Sequence, residues 1–495
     1  MMYGEEKSDS LIVAANLANN PQGAESVERR SGAKGNAEQP HMRRTQSRES
    51  MSQRLSRVRE AAKQRKKERF TALFHLLTAE ALENAFLSLS RKAAAGVDGV
   101  RWKDYAENLK VNIADLHRRL HQGSYRAQPG RRHYIPKADG KQRPLGIASL
   151  EDKIVQYALV KILNAVYEND FMGFSYGFRP GRSQHNALDA LATGLVRTNV
   201  NWVLDADISQ FFDKVSHEWL IRFIEHRIGD QRVIRLIRKW LTAGTSEEGE
   251  WRASEEGTPQ GAVISPLLAN IYLHYVFDLW AHQWRRRHAT GNVVMVRYAD
   301  DIVIGFDKRI DAQCFRIAMQ RRLKEFGLTV HPKKTRLMEF GRFAAENRAI
   351  RGKGKPETFN FLGFTHISGK DRSGRFMLIR KTRRDRMTAT LKAIKDGLRK
   401  RWHYSIPEQG KWLRRVVQGY LNYHSVPGNY PMMRKFRIYV TDLWRRALRR
   451  RSQQDDTTWT KANRLAAVWL PKVRVLHPWP VERFTARHPR QEPGA

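Results

Sequence analysis

Residues 293–306, VVMVRYADDIVIGF, give the strongest indication of the fold. Apolar, largely β-branched runs flank Asp300 and Asp301, so the two acids fall where a β-hairpin would turn. Two adjacent charges inside such an apolar stretch are costly unless a metal ion or another cation compensates them. The stretch therefore predicts a hairpin with a functional carboxylate pair, and an ordinary Asp-Asp turn is the alternative.

A second acidic strand strengthens this interpretation. In WVLDADI, residues 202–208, the alternation places Asp205 and Asp207 on the same face. Asp207 lies at the end of the strand, before a helix expected to begin near Ser209. If this strand pairs beside the hairpin, Asp207 faces Asp300 across a gap that can hold a metal ion.

Clustered carboxylates are typical of nucleotidyl transfer. That reaction uses two divalent cations about 3.5–4 Å apart, one activating the attacking hydroxyl and one neutralising the triphosphate. Oxygen ligands favour Mg²⁺. Asp205 and Asp213 compete with Asp207 for the role, although Asp205 lies about 7 Å further back along its strand.

The charge balance points to a polyanionic partner. The 495 residues include 90 Lys and Arg against 50 Asp and Glu, a formal charge of +40. Such an excess repels itself unless a polyanion accepts it, and nucleic acid is the leading candidate. A membrane surface or a ribosome would also suit the charge, so composition indicates a class of partner and no activity.

The cysteine content and the hydropathy of the chain indicate its cellular compartment. Cys314 is the only cysteine, which excludes an internal disulfide and any zinc site built on paired cysteines. The N-terminus lacks the basic-then-apolar pattern of a signal peptide. Residues 258–277 carry no charge, but their Pro, Gly, Gln, Asn and His make a poor membrane helix. We therefore expect a soluble, cytoplasmic protein without a membrane partner.

Composition divides the chain into four predicted segments. Residues 1–42 are rich in polar and small residues and predict a disordered tail. Residues 43–95 predict a basic helical extension, because the stretch from Arg43 to Arg69 contains eleven Arg or Lys and only three Glu. Residues 96–365 alternate β-branched runs with amphipathic helices, as in an α+β domain.

The last segment, residues 366–495, predicts a helical domain. Between Arg372 and Arg451, 23 basic residues stand against 4 acidic ones, with Trp and Tyr interleaved. Basic and aromatic residues mixed on helices suit binding to a nucleic-acid backbone and to stacked bases. A solvated bundle with aromatic core positions is the alternative.

Eight blocks in order resemble the reverse transcriptase/maturases encoded by bacterial group II introns. The resemblance covers roughly residues 70 to 490. The blocks are GVDGV (96–100), IPKADGKQRPLGIASLEDKIVQ (135–156), FSYGFRPGRSQHNAL (174–188), DADISQFFD (205–213), GTPQGAVISPLLANIYL (257–273), RYADD (297–301), GLTVHPKKT (327–335) and FNFLGF (359–364). RYADD alone is moderately specific, whereas the ordered series is very specific.

The resemblance implies a right-hand-like reverse transcriptase fold. Fingers and a palm with an antiparallel sheet would precede an α-helical thumb or maturase domain, in which GYLNYHSVPGN at 419–429 matches a Tyr-rich segment. It also implies that Asp207, Asp300 and Asp301 carry catalysis. Asp207 and Asp300 would be the principal ligands of two Mg²⁺ ions, and Asp301 would assist.

The resemblance also implies a nucleotide site. Lys137 and Arg143 lie in the block that forms the fingers, where cations would grip the triphosphate of a dNTP. Phe212 matches the bulky residue that excludes a ribose 2′-hydroxyl, although Phe211 competes for that role and either could be a buried core residue.

Pro259, Gln260 and Gly261 match the block that lies against the nucleotide and template. Glycine there permits close approach of the backbone. Two departures from the family pattern stand out. Lys333 occupies a position where the family commonly has an acid, and one cysteine cannot build the family's endonuclease domain.

The expected function is RNA-directed DNA synthesis combined with assistance to intron splicing and retrohoming. The implied partners are group II intron RNA, target DNA and an RNA/DNA primer–template, and a homodimer is compatible with the sequence. One alternative is a binding-only maturase, which would be expected to have lost metal-site residues. Another is a domesticated reverse transcriptase in defence or diversification, against which the maturase-like C-terminal region argues.

Overall fold

The computed structural model describes residues 50–136, 142–247, 249–451 and 457–487. The predicted tail at residues 1–42 lies outside these ranges. The described strands are β1 (Gly130–Pro136), β2 (Gln142–Ile147), β3 (Trp202–Asp207), β4 (Thr245–Glu247), β5 (Glu250–Arg252), β6 (Val293–Tyr298), β7 (Asp301–Phe306), β8 (Arg336–Glu339), β9 (Phe359–Phe361), β10 (Phe364–Lys370) and β11 (Phe376–Thr382).

Helices surround these strands and fill the C-terminal part of the chain. They are α1 (Met51–Gln64), α2 (Ala79–Ser88), α3 (Trp102–Glu107), α4 (Leu109–Gln122), α5 (Leu150–Tyr167), α6 (Gln184–Arg197), α7 (His217–Arg227), α8 (Gln231–Thr242), α9 (Ser265–Leu273), α10 (Leu279–Arg287), α11 (Arg309–Glu325), α12 (Ala344–Ile350), α13 (Arg384–Arg399), α14 (Ile406–His424), α15 (Tyr430–Arg449), α16 (Trp459–Trp469) and α17 (Pro480–Arg487). One π-helical turn, His274–Asp278, joins α9 to α10.

The central sheet has the strand order β6-β7-β3-β8, and each neighbouring pair is antiparallel. The predicted hairpin is confirmed as β6 and β7, and the predicted strand at 202–208 is confirmed as β3, paired beside it. Every residue of β6 from Val293 to Arg297 is buried, so both faces of this strand are covered. Helix α6 packs on β6, and α11 packs on β3 and β7.

Besides the central sheet, the described part of the chain contains two further sheets. Strands β2-β1-β4-β5 form the first, in which β1 and β2 are an antiparallel hairpin and β1 pairs with β4 in parallel. Strands β11-β10-β9 form the other, which is antiparallel. This last sheet spans residues 359–382 and therefore crosses the predicted domain boundary after residue 365; the domain division stays a prediction.

The expectation of a helix near Ser209 is wrong. The Ser209 backbone N–H instead donates to the carbonyl of Thr329 at 2.8 Å. Gln210 follows with φ of 47°, and only a 3₁₀ turn, Phe211–Asp213, comes next. A left-handed residue cannot continue an α-helix, so α7 begins only where the Ser216 hydroxyl caps it.

The described residues form two hydrophobic cores. The larger unites the helices around the first and central sheets and extends to β9 and β10. The smaller lies among α13, α14, α15 and α16, around Leu413, Phe436 and Trp444. Within the described ranges, no helix combines the length and the apolar character needed to cross a bilayer.

Candidate active site

The carboxylates meet at one end of the central sheet. In the β3–β7 register, Asp207 lies directly opposite Asp301, and opposed residues project to the same face. Tyr298 pairs with Asp301, so Ala299 and Asp300 form a two-residue turn. Ala299 is the first residue of this turn and has φ of 56°. Two-residue hairpin turns favour a positive φ at that position. The register thus places Asp301, rather than Asp300, directly opposite Asp207.

Electrostatics mark this end of the sheet as crowded with negative charge. Asp301 is solvent-exposed, yet the surrounding protein displaces much of the water near its carboxylate, and this desolvation raises its pKa to about 7. Repulsion from Asp300, Asp207 and Asp205 adds to this rise in pKa. Burial likewise raises the pKa of Asp205 to about 6, with Asp207 adding to the shift and Arg336 opposing it. A bound cation would relieve this repulsion.

Lys334 supplies one cation to the cluster. Its ammonium donates to Asp207 Oδ2 at 2.9 Å, while 62% of the lysine side chain stays exposed. The segment before it is fastened to the end of β3, because the His331 backbone N–H donates to the Asp207 carbonyl at 2.7 Å. Lys334 stands in the GLTVHPKKT block, but no sequence signal indicated which carboxylate it meets.

A buried network holds the hairpin turn. Arg297 is fully buried and donates to both carboxylate oxygens of Asp278, at 2.7 and 2.6 Å. Its remaining donors reach Asn270 Oδ1 at 3.1 Å, Ser175 Oγ at 2.7 Å and the Ala299 carbonyl at 3.0 Å. Sequence reasoning missed this network, although an arginine within a run of buried β-strand residues was a visible signal.

The residues predicted to meet the nucleotide collect beside β3. Phe211 is buried at 2% exposure, whereas Phe212 is half-buried, so Phe212 is the better placed of the two to meet a ligand. The Gln260 side chain donates to Asp213 Oδ1 at 2.6 Å, which leaves Asp213 engaged away from Asp207. Asp213 is thereby a weaker candidate for the metal site.

The loop at Gly261 is joined to β2. The Gly146 backbone N–H donates to the Gln260 carbonyl at 2.7 Å. Gly261 has φ of 109°, and a Cβ there would come within 3.0 Å of the Gly146 carbonyl oxygen, so this close approach requires glycine. The backbone of Arg143 lies in the same strand, opposite Ile135, and Lys137 lies outside the described residues.

The donor set suits a hard divalent cation. Asp207, Asp300 and Asp301 offer carboxylate oxygens, and Lys334 shows that the cluster accepts a cation. Among the described residues, no group of three or more His, Cys, Asp or Glu side chains already converges in an arrangement that could hold a metal ion. The residues therefore fit Mg²⁺ by chemistry and charge, and the carboxylates would need to converge on it.

Comparison with known proteins adds independent information. A family model described as reverse transcriptase (RNA-dependent DNA polymerase) matches residues 135–366, which include all three aspartates. Protein YkfC of Escherichia coli K12 is 43% identical over 206 residues, covering 41% of this chain and 54% of that protein. Group II intron-encoded protein LtrA of Lactococcus lactis is 37% identical over 223 residues, covering 44% of this chain and 37% of LtrA.

A third relative extends the match over a longer part of the chain. The putative COX1/OXI3 intron 1 protein of Saccharomyces cerevisiae is 26% identical over 393 residues, covering 66% of this chain and 46% of that protein. The chain thus spans about half the length, or less, of these curated relatives. Its mixed α/β architecture with antiparallel sheets agrees with a reverse transcriptase fold. Residues 135–366 thus match the reverse transcriptase family, and the chain is similar to proteins encoded by group II introns.

Proposed function

We propose that this protein is an RNA-directed DNA polymerase whose catalytic residues are Asp207, Asp300 and Asp301. The observation that carries the proposal is the β3–β7 register, which sets Asp207 opposite Asp301 with Asp300 in the adjoining turn. The crowding that raises the pKa of Asp301 supports a site made for cations.

Asp207, Asp300 and Asp301 would hold two Mg²⁺ ions. When bound, such ions activate the primer 3′-hydroxyl and neutralise the triphosphate of the incoming dNTP. In the reaction, a bond forms between the primer O3′ and the α-phosphorus, and the bond to pyrophosphate breaks. The protein supplies no covalent nucleophile; its residues position the reactants and balance their charge.

The incoming dNTP would lie on the β3 side of the carboxylates. There Phe212 would exclude a 2′-hydroxyl, Gln260 and Gly261 would line the base and template, and Lys137 and Arg143 would grip the triphosphate. The hydrogen bond that joins the Gly261 loop to β2 supports this arrangement, because it connects the loop to the strand that carries Arg143.

Residues 366–495 would act as the thumb or maturase domain. A cleft between α13 and α15 supports RNA binding by its composition, since Trp402 lies among basic side chains. The basic residues that line it are Lys395, Arg399, Arg445, Arg446, Arg449 and Arg450. We propose that this surface binds group II intron RNA and promotes its splicing, and that the polymerase then copies the intron at a DNA target during retrohoming.

Primer extension tests the polymerase. An RNA template with an annealed DNA primer, dNTPs and Mg²⁺ would be incubated with the wild-type protein, Asp300→Ala or Asp396→Ala. Asp396 is a matched control on α13, where its exposed contact with Arg399 at 3.8 Å contributes little. We expect DNA product from the wild type and Asp396→Ala, and none from Asp300→Ala at equal RNA affinity.

The same assay separates the alternatives. Absence of product from all three proteins, despite tight binding of intron RNA, would refute the polymerase and favour a binding-only maturase. That candidate has one specific observation in its favour, which is that Asp207 is engaged by Lys334. Product together with failure to bind or splice a group II intron would favour a domesticated reverse transcriptase.

A further inference from the structure

The helices α13–α16 are attached to the rest of the protein at both ends. They surround a hydrophobic core of their own. Strand β11, which ends at Thr382, leads into α13, and residues 471–479 lead from α16 back to α17. Helix α17 packs on α6, and its Phe484 is 4% exposed within the larger core. Residues 471–487, here called the strap, therefore form the second attachment.

One buried carboxylate holds both attachments. Asp189 lies on α6 and is 1% exposed. Arg380, on β11 shortly before α13 begins, places its Nη1 3.6 Å from Asp189 Oδ1. Arg483, on α17, donates from Nε to Asp189 Oδ2. Because a buried carboxylate needs cationic partners, Asp189 fixes the chain at one point both before and after the helices α13–α16.

A series of hydrogen bonds continues from Arg483 to α14. Arg483 Nη1 donates to His477 Nδ1 at 2.8 Å, and His477 Nε2 lies 2.7 Å from the carbonyl oxygen of Asn422. Since arginine only donates, the ring proton is on Nε2, which donates to that carbonyl. The Leu476 backbone N–H also donates to the Ser425 carbonyl at 2.9 Å. The strap thus bonds the end of α14 to α6.

Stacked rings hold this series of bonds in place. The ring of His477 stacks on that of His185 on α6, with centroids 4.0 Å apart, and His185 contacts Tyr423 of α14 at 4.9 Å. Burial lowers the pKa of His185 to about 3, and the neighbouring His477, Arg483 and Arg380 add to the fall. His185 is therefore neutral at ordinary pH and does not repel the two arginines.

The end of α14 that the strap holds lies beside the hairpin of the candidate active site. The Tyr423 hydroxyl donates to the Leu362 carbonyl, in the turn between β9 and β10, at 2.8 Å. Burial raises the pKa of Tyr423, and the nearby Tyr298, at the end of β6, adds to the rise. The strap therefore acts where α14 meets the carboxylate end of the central sheet.

The basic cleft lies at the other end of α14. Trp402, which lines the cleft, shortly precedes the first residue of α14. Helix α14 has 19 residues and is about 28 Å long. A small rotation at the held end consequently moves the cleft by several ångströms relative to the carboxylates.

We propose that the strap fixes the orientation of α13–α16 over the carboxylates, with Arg483 as a positioning residue. This proposal rests on the proposed polymerase function. A primer–template held in the basic cleft stays aligned with the carboxylates only while both attachments are made. The strap thereby determines how many nucleotides are added per binding event, whereas chemistry at the carboxylates does not depend on it.

Distances between two spin labels test the proposal without requiring catalysis. Cys314, the only cysteine of the chain, is exposed on α11 and takes one label, and Ala393→Cys on the exposed side of α13 takes the other. Arg483→Met removes the charge and keeps an extended side chain. Arg375→Met is the matched control, since Arg375 contacts Asp371 within its own turn at 3.1 Å. Melting temperatures are measured for all variants.

We expect one narrow distance in the wild type and a broad distribution in Arg483→Met, because losing a hydrogen bond to a charged group weakens docking of the strap roughly tenfold or more. With heparin trapping free enzyme, Arg483→Met should make several-fold shorter products, while the rate of the first incorporation on a preformed complex stays unchanged. Arg483→Lys should lie between the two, because lysine keeps the charge but lacks the planar fork. Arg375→Met should behave as wild type.

Two outcomes would overturn the proposal. An unchanged distance distribution in Arg483→Met would do so, whatever the length of its products. A broader distribution with equal losses of melting temperature and of first-nucleotide rate would mean that Arg483 only stabilises the fold. If the wild type extends no primer but Arg483→Met still broadens the distance, the polymerase function fails while the orienting role of the strap stands.

Discussion

The carboxylate end of the central sheet and the helices α13–α16 handle charge in opposite ways. At the sheet, a few acids are crowded together, and backbone register, a buried arginine and a lysine determine their positions. On the helices, many basic side chains are exposed around a separate hydrophobic core. The first arrangement depends on geometry, whereas the second depends on the total of the charges. We therefore expect single substitutions to have large effects at the sheet and graded effects on the helices.

The largest effect is expected at Asp207. Asp207→Asn removes a charged ligand from the proposed metal site, so the rate of single-nucleotide incorporation should fall roughly a thousandfold. This factor corresponds to a loss of several kcal/mol of transition-state stabilisation. Affinity for intron RNA, measured by filter binding, should stay at the wild-type value, because the basic helices are untouched. A loss of RNA affinity equal to the loss of rate would contradict the separate roles of the two regions.

The next effect concerns stability. Asp278→Ala leaves the fully buried Arg297 without its counter-ion, which should destabilise the fold by about 3–5 kcal/mol in denaturant unfolding. The double variant Asp278→Leu/Arg297→Met should regain most of that stability, because an apolar pair needs no counter-charge.

The double variant also tests whether Arg297 positions the hairpin turn. It leaves the Ala299 carbonyl without the Arg297 donor, so incorporation should stay below the wild-type rate even when the fold is stable. Wild-type incorporation by the double variant would show that Arg297 stabilises the core and does not position the hairpin.

A graded effect is expected on the helices. Arg449→Gln/Arg450→Gln should reduce the slope of log RNA affinity against log salt by about 0.7 to 0.9 for each phosphate that the protein no longer neutralises. Incorporation on a preformed enzyme–primer–template complex should not change. Arg321→Gln/Lys324→Gln, two exposed cations on α11, is the matched control with equal loss of charge. Equal slopes for the two double variants would argue against a localised RNA surface.

The smallest effect is expected at Lys334. Its ammonium competes with a metal ion for Asp207, so Lys334→Ala should lower the Mg²⁺ concentration for half-maximal synthesis. An exposed ion pair contributes about 0.2–1 kcal/mol, which corresponds to a shift of up to roughly fivefold. A higher Mg²⁺ requirement would instead mean that Lys334 helps to form the site.

Local pattern was sufficient to predict the hairpin and the strand β3, whereas their pairing entered the sequence argument only as a condition, which the structure fulfils. Continuous apolar runs and period-2 alternation are properties of the strands themselves. The register of the hairpin was harder to predict from the sequence. It depends on Ala299 and Asp300 being the turn residues, and this requires a positive φ at Ala299 that the neighbouring residues impose. The helix expected near Ser209 failed for a similar reason, since distant backbone hydrogen bonds hold that segment.

The supporting interactions could not be read from the sequence. Lys334 meets Asp207 across 127 positions, and Arg297 meets Ser175 across 122 positions. Such partners are set by how the helices and sheets pack, and no local spacing encodes them. The choice between Phe211 and Phe212 also depended on burial, which adjacent aromatic residues do not reveal.

The proposed two-metal site can be tested directly by measuring Mn²⁺ binding with electron paramagnetic resonance. Wild type and Asp300→Ala would be compared in complex with a dideoxy-terminated primer–template and a dNTP, after subtraction of ions bound by the nucleic acid alone. We expect about two protein-dependent Mn²⁺ ions for the wild type and fewer for Asp300→Ala at equal primer–template occupancy. The same number of ions in both proteins, or none in the wild type, would contradict it.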